Sequence, residues 1–247
     1  MIRWHSFLRM QIKVAKKLNS VIVVSESSKQ DIHDDFGLKK EAMKVILNGI
    51  DTEAFFPDEN IKKIPFRIVT SASSDVPLKG LDYLLEAFSE VIKIFPDSTL
   101  QIIGSSKQGG HTSRKINDLN IKEKVQFNND LSFKEVRDLY CSADVVVIPS
   151  LYEGFGFAIG EAMACRVPVI TTSGGAIPEV IEDCGILGSP GNSKELEEAM
   201  IKLLPDEEKK SFFAEKGFNR IIEHLKWEKV AKLMTESYET EINRTTN

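Results

Sequence analysis

The sequence predicts an α/β protein built on a doubly wound parallel sheet, and three observations lead there. The chain has 247 residues, 42% of them hydrophobic, which suffices for one large domain or a domain with part of a second. From about residue 65 onward, short β-branched apolar runs alternate with helical patterns. The runs are continuous rather than alternating, as in strands buried on both faces. Repeated strand–helix order of this length produces a parallel sheet with helices on both faces.

Six strands are predicted in this part of the chain, enough for a whole doubly wound domain. They are residues 67–70, 100–103, 125–127, 145–148, 167–170 and a weaker 185–187. Between the first two strands, apolar residues from Tyr83 to Phe95 recur at helical spacings. The last fifty residues are charged and helical, with one stripe that we expect to contact the core. The stripe consists of Trp227, Val230, Ala231, Met234 and Tyr238.

Residues 1–64 do not begin a domain cleanly. A basic first helix with an apolar stripe (Trp4, Phe7, Leu8, Gln11, Ala15 and Leu18) precedes a strand at 21–24. Serines 25, 27 and 28 then offer N-caps for a helix ending near Gly37, and an apolar run at 45–47 leads into a turn. Two strands and two helices cannot bury a sheet alone. This zone is therefore either the end of a missing domain plus a hinge, or a set of edge elements of the main sheet.

Composition excludes several classes of protein. The formal net charge of −5 argues against a nucleic-acid binder. No apolar run approaches the roughly 20 residues that span a bilayer, and the start has no apolar signal core, so a cytoplasmic location is the default expectation. Three widely spaced cysteines without a CxxC pair fit a reduced compartment, and Cys141 and Cys165 are expected to be core thiols. Four histidines without paired spacing make a zinc site improbable, and His111 is expected to be solvated.

The most informative segment follows the strand that ends near residue 149. Glycines 154 and 156 permit close backbone approach at the start of a helix, which suits a diphosphate. Glu153 precedes this turn, and Glu161 lies inside the helix; eight helical steps between them would cover about 12 Å. The two carboxylates would then address two ends of one extended ligand, since a carboxylate accepts hydrogen bonds from vicinal sugar hydroxyls. The alternative is a structural Glu161 paired with a lysine, beside an ordinary glycine turn.

A second segment, residues 71–80, follows the first strand of the domain and contains small residues such as Ser73. Lys79 is expected to open the next helix, where the helix dipole disfavours a cation, so a bound anion is indicated. A solvated surface lysine is the alternative. Further glycine- or serine-rich loops follow other strands at Gly104, at 129–133 around Leu131, and at 171–179. Together they indicate a ligand cleft at one sheet edge. The chain has no GxGxxG, no GxxxxGK[ST], no G-x-S-x-G and no D-x-D motif.

These segments resemble, in order, the family 4 glycosyltransferases of GT-B fold. Glu153 and Glu161 match the E-x7-E signature with Gly-Phe-Gly after the first glutamate. Residues 23–26 and 48–55 resemble the segment that joins the family's two domains, and 79–88 its Lys-Gly donor loop and helix. Residues 165–169, Gly174-Gly175 and Pro178-Glu179 continue the match, so the resemblance covers nearly the whole chain.

The resemblance implies two Rossmann-like domains around a cleft. It implies a remnant of the acceptor domain and hinge at 1–64, a donor-binding domain at 65–220 and a C-terminal helix at 221–247 that crosses back. It further implies retaining, metal-independent transfer of a hexose-type sugar from a UDP- or GDP-linked donor to a glycan or lipid acceptor, in polysaccharide or glycolipid biosynthesis. No cofactor is implied beyond this co-substrate.

The resemblance also implies roles for individual residues. Glu161 would bind the ribose, Glu153 the donor sugar, and Lys79 the diphosphate as it leaves. Amides of Gly154, Phe155, Gly156 and Phe157 would line the phosphates and the sugar, Gly104 and the Leu131 region would face the base, and Ser73 belongs to the donor loop.

The sequence departs from the family in two respects. The arginine usual about five residues before the lysine is absent from Ser73-Ser74-Asp75-Val76-Pro77, and most of the acceptor domain has no counterpart. Alternatives are therefore a non-catalytic nucleotide-sugar-binding or partner-docking module, and a GT-B nucleotide-sugar epimerase. The basic first helix is expected to pack on the missing domain, with peripheral contact to an anionic membrane as the alternative.

Overall fold

The computed structural model describes residues 2–73, 75–105 and 107–246, with side chains from residue 9 to residue 244. The first elements are α1 (Ile2–Ala15), β1 (Val21–Val23), α2 (Glu26–Phe36) and β2 (Met43–Val45). The strands that follow are β3 (Arg67–Ser71), β4 (Thr99–Ile103), β5 (Val125–Asn128), β6 (Val145–Ile148), β7 (Val169–Thr172) and β8 (Ile186–Gly188). The helices are α3 (Leu81–Ile94), α4 (His111–Asp118), α5 (Phe133–Ser142), α6 (Phe157–Ala164), α7 (Ile177–Ile181), α8 (Ser193–Leu203), α9 (Glu207–Arg220) and α10 (Trp227–Thr246), with a π-helical turn at Ile221–Leu225.

The six strands from β3 to β8 form one parallel sheet, which confirms the predicted α/β doubly wound class. Their order across the sheet is β5-β4-β3-β6-β7-β8, and every pairing is parallel. The chain therefore starts at β3 in the middle, moves outward to β5, and returns to the other side at β6. In such a sheet the loops after the two central strands diverge and leave a crevice between them.

Neighbouring residues of the central strands point into two separate apolar layers. Ile68 of β3 packs in the layer with α3 and α8, whereas Val69 packs in the layer with α5, α6 and α7. All four residues of β6 are buried. The burial on both faces explains why these strands appear in the sequence as unbroken apolar runs.

Strands β1 and β2 form a separate two-stranded parallel sheet, in register from Val21 against Met43 to Val23 against Val45. The alternative that they are edge elements of the main sheet is therefore wrong. Strand β2 also begins earlier than the predicted run 45–47, although the Ile46 amide still donates to the Val23 carbonyl at 2.9 Å. Gly37, in the left-handed conformation with φ 68°, ends α2 as predicted.

The chain passes between the small sheet and the large one twice, and the two crossing segments are bonded to each other. The Ile50 amide donates to the Leu225 carbonyl at 2.7 Å, and the Trp227 amide donates to the Ile50 carbonyl at 3.1 Å. The Ile50 side chain is buried against Gly160 of α6, where a Cβ atom would lie 2.4 Å from Ile50 Cδ1. The first segment is thus fixed to the second and to the large domain.

Three sequence expectations need correction. Strand β7 begins at Val169 rather than 167, because Pro168 has no amide to pair, although its carbonyl accepts from Val146. In α10 the predicted core stripe is largely on the surface, since Trp227, Ala231 and Tyr238 are exposed and Val230 is buried together with Ser237. In the predicted first stripe, Gln11 of α1 and Leu18, which lies beyond the end of α1, are exposed, and Ala15 packs on the small sheet. The side chains of Trp4, Phe7 and Leu8 lie outside those described.

Candidate active site

The candidate site lies where the chain changes direction across the large sheet, beyond the carboxyl ends of β3 and β6. The loop after β3 carries Lys79, and the loop after β6 carries Glu153. The Leu151 amide donates to the Leu78 carbonyl at 2.8 Å and joins the two loops. Gly80, at φ 64°, lies so close to Pro149 that a Cβ atom would fall 1.9 Å from the carbonyl oxygen. A glycine is therefore required next to Lys79 to bring the loops together.

Lys79 and Glu153 form an ion pair in this crevice. Lys79 Nζ lies 2.7 Å from Glu153 Oε1, and the Ser150 hydroxyl donates to the same oxygen at 2.7 Å. The Glu153 side chain is 17% exposed and that of Lys79 is 40% exposed. Lys79 does not open a helix as expected; it ends a 3-10 turn (Pro77–Lys79), and α3 starts at Leu81. The helix-dipole argument for a bound anion at Lys79 therefore does not apply, and Lys79 pairs with the Glu153 carboxylate.

Glu161 lies on α6, behind Glu153. The expected eight helical steps between the two acids are wrong, because α6 begins only at Phe157 and the residues before it form the glycine turn. Burial raises the pKa of Glu161 to about 7, and the nearby Tyr140 hydroxyl lowers it in part. No lysine or arginine forms an ion pair with Glu161 among the residues described, so the structural alternative of a Lys–Glu161 pair is not supported.

Tyr140 of α5 is fully buried beside Glu161. Its hydroxyl is without a well-formed hydrogen bond in the described part of the chain. Burial, and then the nearby Glu161 carboxyl, raises the pKa of Tyr140 well above its usual value. The phenol therefore remains neutral and is available to donate a hydrogen bond toward the carboxylate.

The turn between Glu153 and α6 presents backbone amides at a helix start. Gly156 precedes the helix with φ 98° and ψ 54°, a conformation that non-glycine residues rarely adopt. No side chain accepts from the first amides of α6 at its N-cap. Phe155 is buried and contacts the ring of Phe157 at 5.0 Å between centroids, while Phe157 is half exposed. The amides at this helix start therefore have no side-chain cap, which leaves the predicted anion site as a proposal.

These groups line a single cleft of about 520 Å³. Lys79, Glu153 and Glu161 all face it, so the structure brings the three predicted charged residues together. The remaining lining residues are Val24, Asn48, Ser71, Ala72, Ser73, Ile103, Gly154, Phe155, Gly156, Phe157 and Ala158. Gly104 and Leu131 are not among them; Gly104 packs against Ala72 and Ser73 after β4, and Leu131 lies in the loop before α5.

A second hollow, of about 330 Å³, adjoins this cleft. Glu161 and Phe157 line both cavities and form the wall between them. The side chains of Phe133, Phe157 and Trp227 line the second hollow and are 72%, 50% and 56% exposed. The buried carboxylic acid thus stands between a polar cavity and an aromatic one.

Asp75 holds the loop after β3 against the start of α4. Asp75, at φ 59°, accepts from the Thr112 amide at 2.9 Å and from its hydroxyl at 3.0 Å. The hydrogen bond from the Thr112 amide lowers the pKa of Asp75, so this carboxylate stays charged at the start of α4. Ser74, which occupies the position of the usual arginine, lies outside the described residues.

Several site residues were not found from the sequence. Ser150 follows β6 directly, so the rule that ligands lie beyond strand ends contained the signal for it. Val24 and Asn48 come from the small sheet, and no local pattern in the sequence connects them with the cleft. In the sequence, Tyr140 has the pattern of an ordinary core aromatic residue on the apolar stripe of a helix.

The residues that the sequence analysis set aside behave as expected. Cys141 and Cys165 are buried free thiols, 5% and 3% exposed. His111 is largely exposed, although its Nε2 atom contacts Asp82 Oδ2 at 2.7 Å and it starts α4 rather than lying in a loop. None of the described helices is both long and apolar enough to span a bilayer.

Comparison with solved structures shows a shared fold. Sucrose-phosphate synthase from Thermosynechococcus elongatus superposes with a TM-score of 0.84 at 23% identity, over 97% of this chain and 62% of that one. Anabaena Alr3699/HepE in complex with UDP-glucose also gives 0.84 at 23% identity, over 94% and 67%. Both similarities place the chain among proteins with the GT-B type of fold.

Sequence comparison gives the family. The MMP alpha-(1->4)-mannosyltransferase of Mycolicibacterium hassiacum is 35% identical over 98% of this chain and 59% of its own length. The sucrose-phosphate synthase assigned as probable in Thermosipho melanesiensis is 32% identical over 89% of this chain and 54% of its own. The chain thus spans somewhat more than half the length of these relatives. The profile of Glycosyltransferase Family 4 matches residues 2–54, and that of Glycosyl transferases group 1 matches residues 51–226. The chain belongs to the group 1 glycosyl transferases.

Proposed function

We propose that this chain supplies the donor site of a retaining, metal-independent glycosyltransferase that moves a hexose-type sugar from a nucleotide sugar to a glycan or lipid acceptor. The observation that carries the proposal is the single cleft lined by Lys79, Glu153 and Glu161. One cation, two acids and a row of helix-start amides match the parts of a nucleotide sugar: a diphosphate, a ribose and a hexose.

The diphosphate is assigned to Lys79 and the amides of residues 154–157. Negative charge develops on the leaving phosphate as the bond to the sugar breaks, and fixed positive groups there lower the barrier. The helix start and the ammonium group supply this charge without a metal ion. Metal independence predicts that a chelator leaves both donor binding and transfer unchanged.

The two acids are assigned to the two sugar rings. Glu161 lies deeper, on α6, and its carboxylate would accept from the ribose hydroxyls. Glu153 lies at the turn, and its carboxylate would accept from hydroxyls of the transferred sugar once the diphosphate takes over Lys79. Gly104 and Leu131 remain our assignment for the base side, at the ends of β4 and β5.

The names of related proteins support a nucleotide-sugar donor. Alr3699/HepE has been solved with UDP-glucose, and other relatives are named GDP-mannose-dependent mannosyltransferases. We therefore propose a UDP- or GDP-linked donor and a role in glycolipid or polysaccharide synthesis, in the cytoplasm. The rest of an acceptor domain is the proposed partner of α1, whose Met10 and Val14 are exposed among basic residues, as is Leu18 just beyond its end. Sedimentation with anionic vesicles tests the alternative of a membrane partner, since pelleting that depends on lipid would contradict ours.

Calorimetric titration of the purified chain with UDP, GDP and their sugars tests the proposal directly. Glu161→Ala should weaken binding of the bare nucleotide about 10- to 100-fold, because hydrogen bonds to a charged acceptor contribute roughly 1.5–3 kcal/mol. Glu153→Ala should not weaken binding of the bare nucleotide, because it frees Lys79 for the diphosphate, and it should remove the preference between sugars. Equal nucleotide affinity in the wild type and Glu161→Ala would contradict the assignment.

A non-catalytic nucleotide-sugar-binding or partner-docking module is the second candidate. Binding without turnover, when the chain is supplied with donor and a panel of acceptors, would favour it. Product analysis without an acceptor distinguishes a third function, since an epimerase would convert the donor by itself.

A further inference from the structure

The first turn of α2, which belongs to the small sheet, lies on the loop that carries Glu153. Ser25 is the N-cap of α2; its hydroxyl accepts from the Ser28 amide at 2.9 Å and lies 3.3 Å from the Gly154 carbonyl oxygen. The Ser28 hydroxyl lies 3.5 Å from the same oxygen. One turn further along α2, the carboxylate of Asp31 accepts from the Tyr152 hydroxyl. The glycine turn of the site is thus in contact with a helix from the other side of the cleft.

Glu179, on α7 of the large domain, contacts the start of the same helix. Its Oε2 accepts from the Glu26 amide at 2.7 Å, and its Oε1 accepts from the Ser27 amide at 2.9 Å. The first amides of a helix have no partner within the helix, and a negative charge there is favoured by the helix dipole. A single carboxylate thus holds two of these amides across the boundary between the two sheets.

Glu179 is itself held firmly. The Arg220 guanidinium donates to the Glu179 and Val180 carbonyls, both at 2.6 Å. The Ala176 amide at the start of α7 donates to the Glu153 carbonyl at 2.9 Å. One short rigid segment therefore makes both contacts. Its Glu179 carboxylate accepts from amides of α2, and its Ala176 amide donates to the Glu153 carbonyl.

The Gly154 carbonyl matters because of the geometry of the peptide bond. In a trans peptide the carbonyl of residue 154 and the amide of residue 155 point in opposite directions. Directing this carbonyl toward Ser25 therefore directs the Phe155 amide away from α2. Phe155 lines the cleft, so its amide belongs to the row assigned to the donor.

We propose that Glu179 is a positioning residue: by holding the start of α2, it keeps Ser25 on the Gly154 carbonyl and so orients the amides of the glycine turn. Its effect on donor affinity rests on the function proposed above. Its effect on the unliganded protein does not, because every contact named here exists without a ligand.

Hydrogen exchange of the unliganded full chain tests the coupling. In Glu179→Gln the amide group can accept only one of the two hydrogen bonds, so amides in 25–36 should exchange about three- to tenfold faster, the usual range for a lost helix cap. If Glu179 positions the glycine turn, the amides of residues 150–157 should exchange faster by a similar factor. Glu198→Gln removes the same charge from exposed α8 and should change neither segment. Acceleration confined to 25–36 would show that Glu179 only caps α2 and would overturn the proposal.

Nucleotide titration of the same variants provides the second readout. Glu179→Gln should raise the Kd for UDP or GDP about three- to tenfold, and Glu179→Asp, which retains the charge, should recover part of the loss. If Glu179→Gln does not fold, Ser25→Ala breaks the connection at its other end and should accelerate exchange in 150–157; unchanged exchange there would overturn the proposal. If the wild type binds no nucleotide, the proposed donor-site function is wrong. The hydrogen-exchange result still tests whether Glu179 orients the glycine turn.

Discussion

Lys79 Nζ lies 2.7 Å from Glu153 Oε1, and both side chains face the same cleft. The cation that we propose for the diphosphate is thus paired with a neighbouring acid. On the function proposed above, a diphosphate would replace the Glu153 carboxylate at Lys79, and the displaced carboxylate would accept from the sugar.

Lys79→Met should weaken binding of the diphosphate nucleotide about 10- to 100-fold, because a hydrogen bond between charged groups contributes roughly 1.5–3 kcal/mol. Binding of the corresponding nucleoside, which carries no phosphate, should stay unchanged. Calorimetry with both ligands measures the difference. Lys93→Met, at an exposed position of α3, is the matched control. An equal loss for nucleoside and nucleotide would indicate that Lys79 acts through folding alone.

Glu161→Gln should stabilise the unliganded protein at pH 8 while it weakens nucleotide binding. Burial raises the pKa of Glu161 to about 7, so between its ordinary value of 4.5 and 7 the folded chain keeps a proton that the unfolded chain releases. The free energy of unfolding of the wild type therefore falls as the pH rises through this window. Glutamine is neutral throughout and should recover about 1–3 kcal/mol above pH 7. Denaturant unfolding at pH 4.5 and pH 8 measures this, and a difference that does not depend on pH would contradict it.

Donor affinity should rise with pH through about 7. In the role proposed for it, Glu161 accepts from the ribose hydroxyls as a carboxylate, and its charged fraction increases over this range. A nucleotide sugar is the appropriate ligand, because its diphosphate has no terminal phosphate that titrates near pH 6. Tyr140→Phe removes a hydroxyl that lowers the pKa of Glu161, so its midpoint should move to higher pH. A flat profile in the wild type, or an unshifted midpoint in Tyr140→Phe, would count against this role.

Gly156→Ala should lower the free energy of unfolding by about 1–2 kcal/mol, because alanine is strained at φ 98°. An added Cβ atom would also lie 3.1 Å from Ile159 Cδ1. Gly154→Ala is the matched control, since a Cβ atom there meets nothing within 4 Å and φ is not positive. Urea unfolding of both variants tests the difference, and equal stabilities would show that the turn tolerates a side chain.

The large sheet was predictable because its strands are buried on both faces. The predicted runs 100–103 and 145–148 agree with β4 and β6 to within one residue. The start of β7 was not predictable in this way, because a hydropathy pattern carries no information about the missing amide of Pro168. Helical periodicity in α10 predicted a buried stripe, but periodicity alone does not determine which face of a helix packs against the protein. In α10, Tyr238 is exposed and Ser237 is buried.

The candidate site was predictable where it depends on one rule, that ligands lie beyond the carboxyl ends of parallel strands. This rule led to Lys79, Glu153 and Glu161. The contacts of Glu179 with α2 depend on how the two sheets are placed against each other, and no local spacing contains that information. The same holds for Val24 and Asn48, which face the cleft from the other sheet.

The paired bonds of Ile50 with Leu225 and Trp227 have a mechanical consequence. The outgoing and returning strands of polypeptide form one two-stranded joint, so neither can twist without the other. An engineered change of length in either connector should therefore displace both segments together.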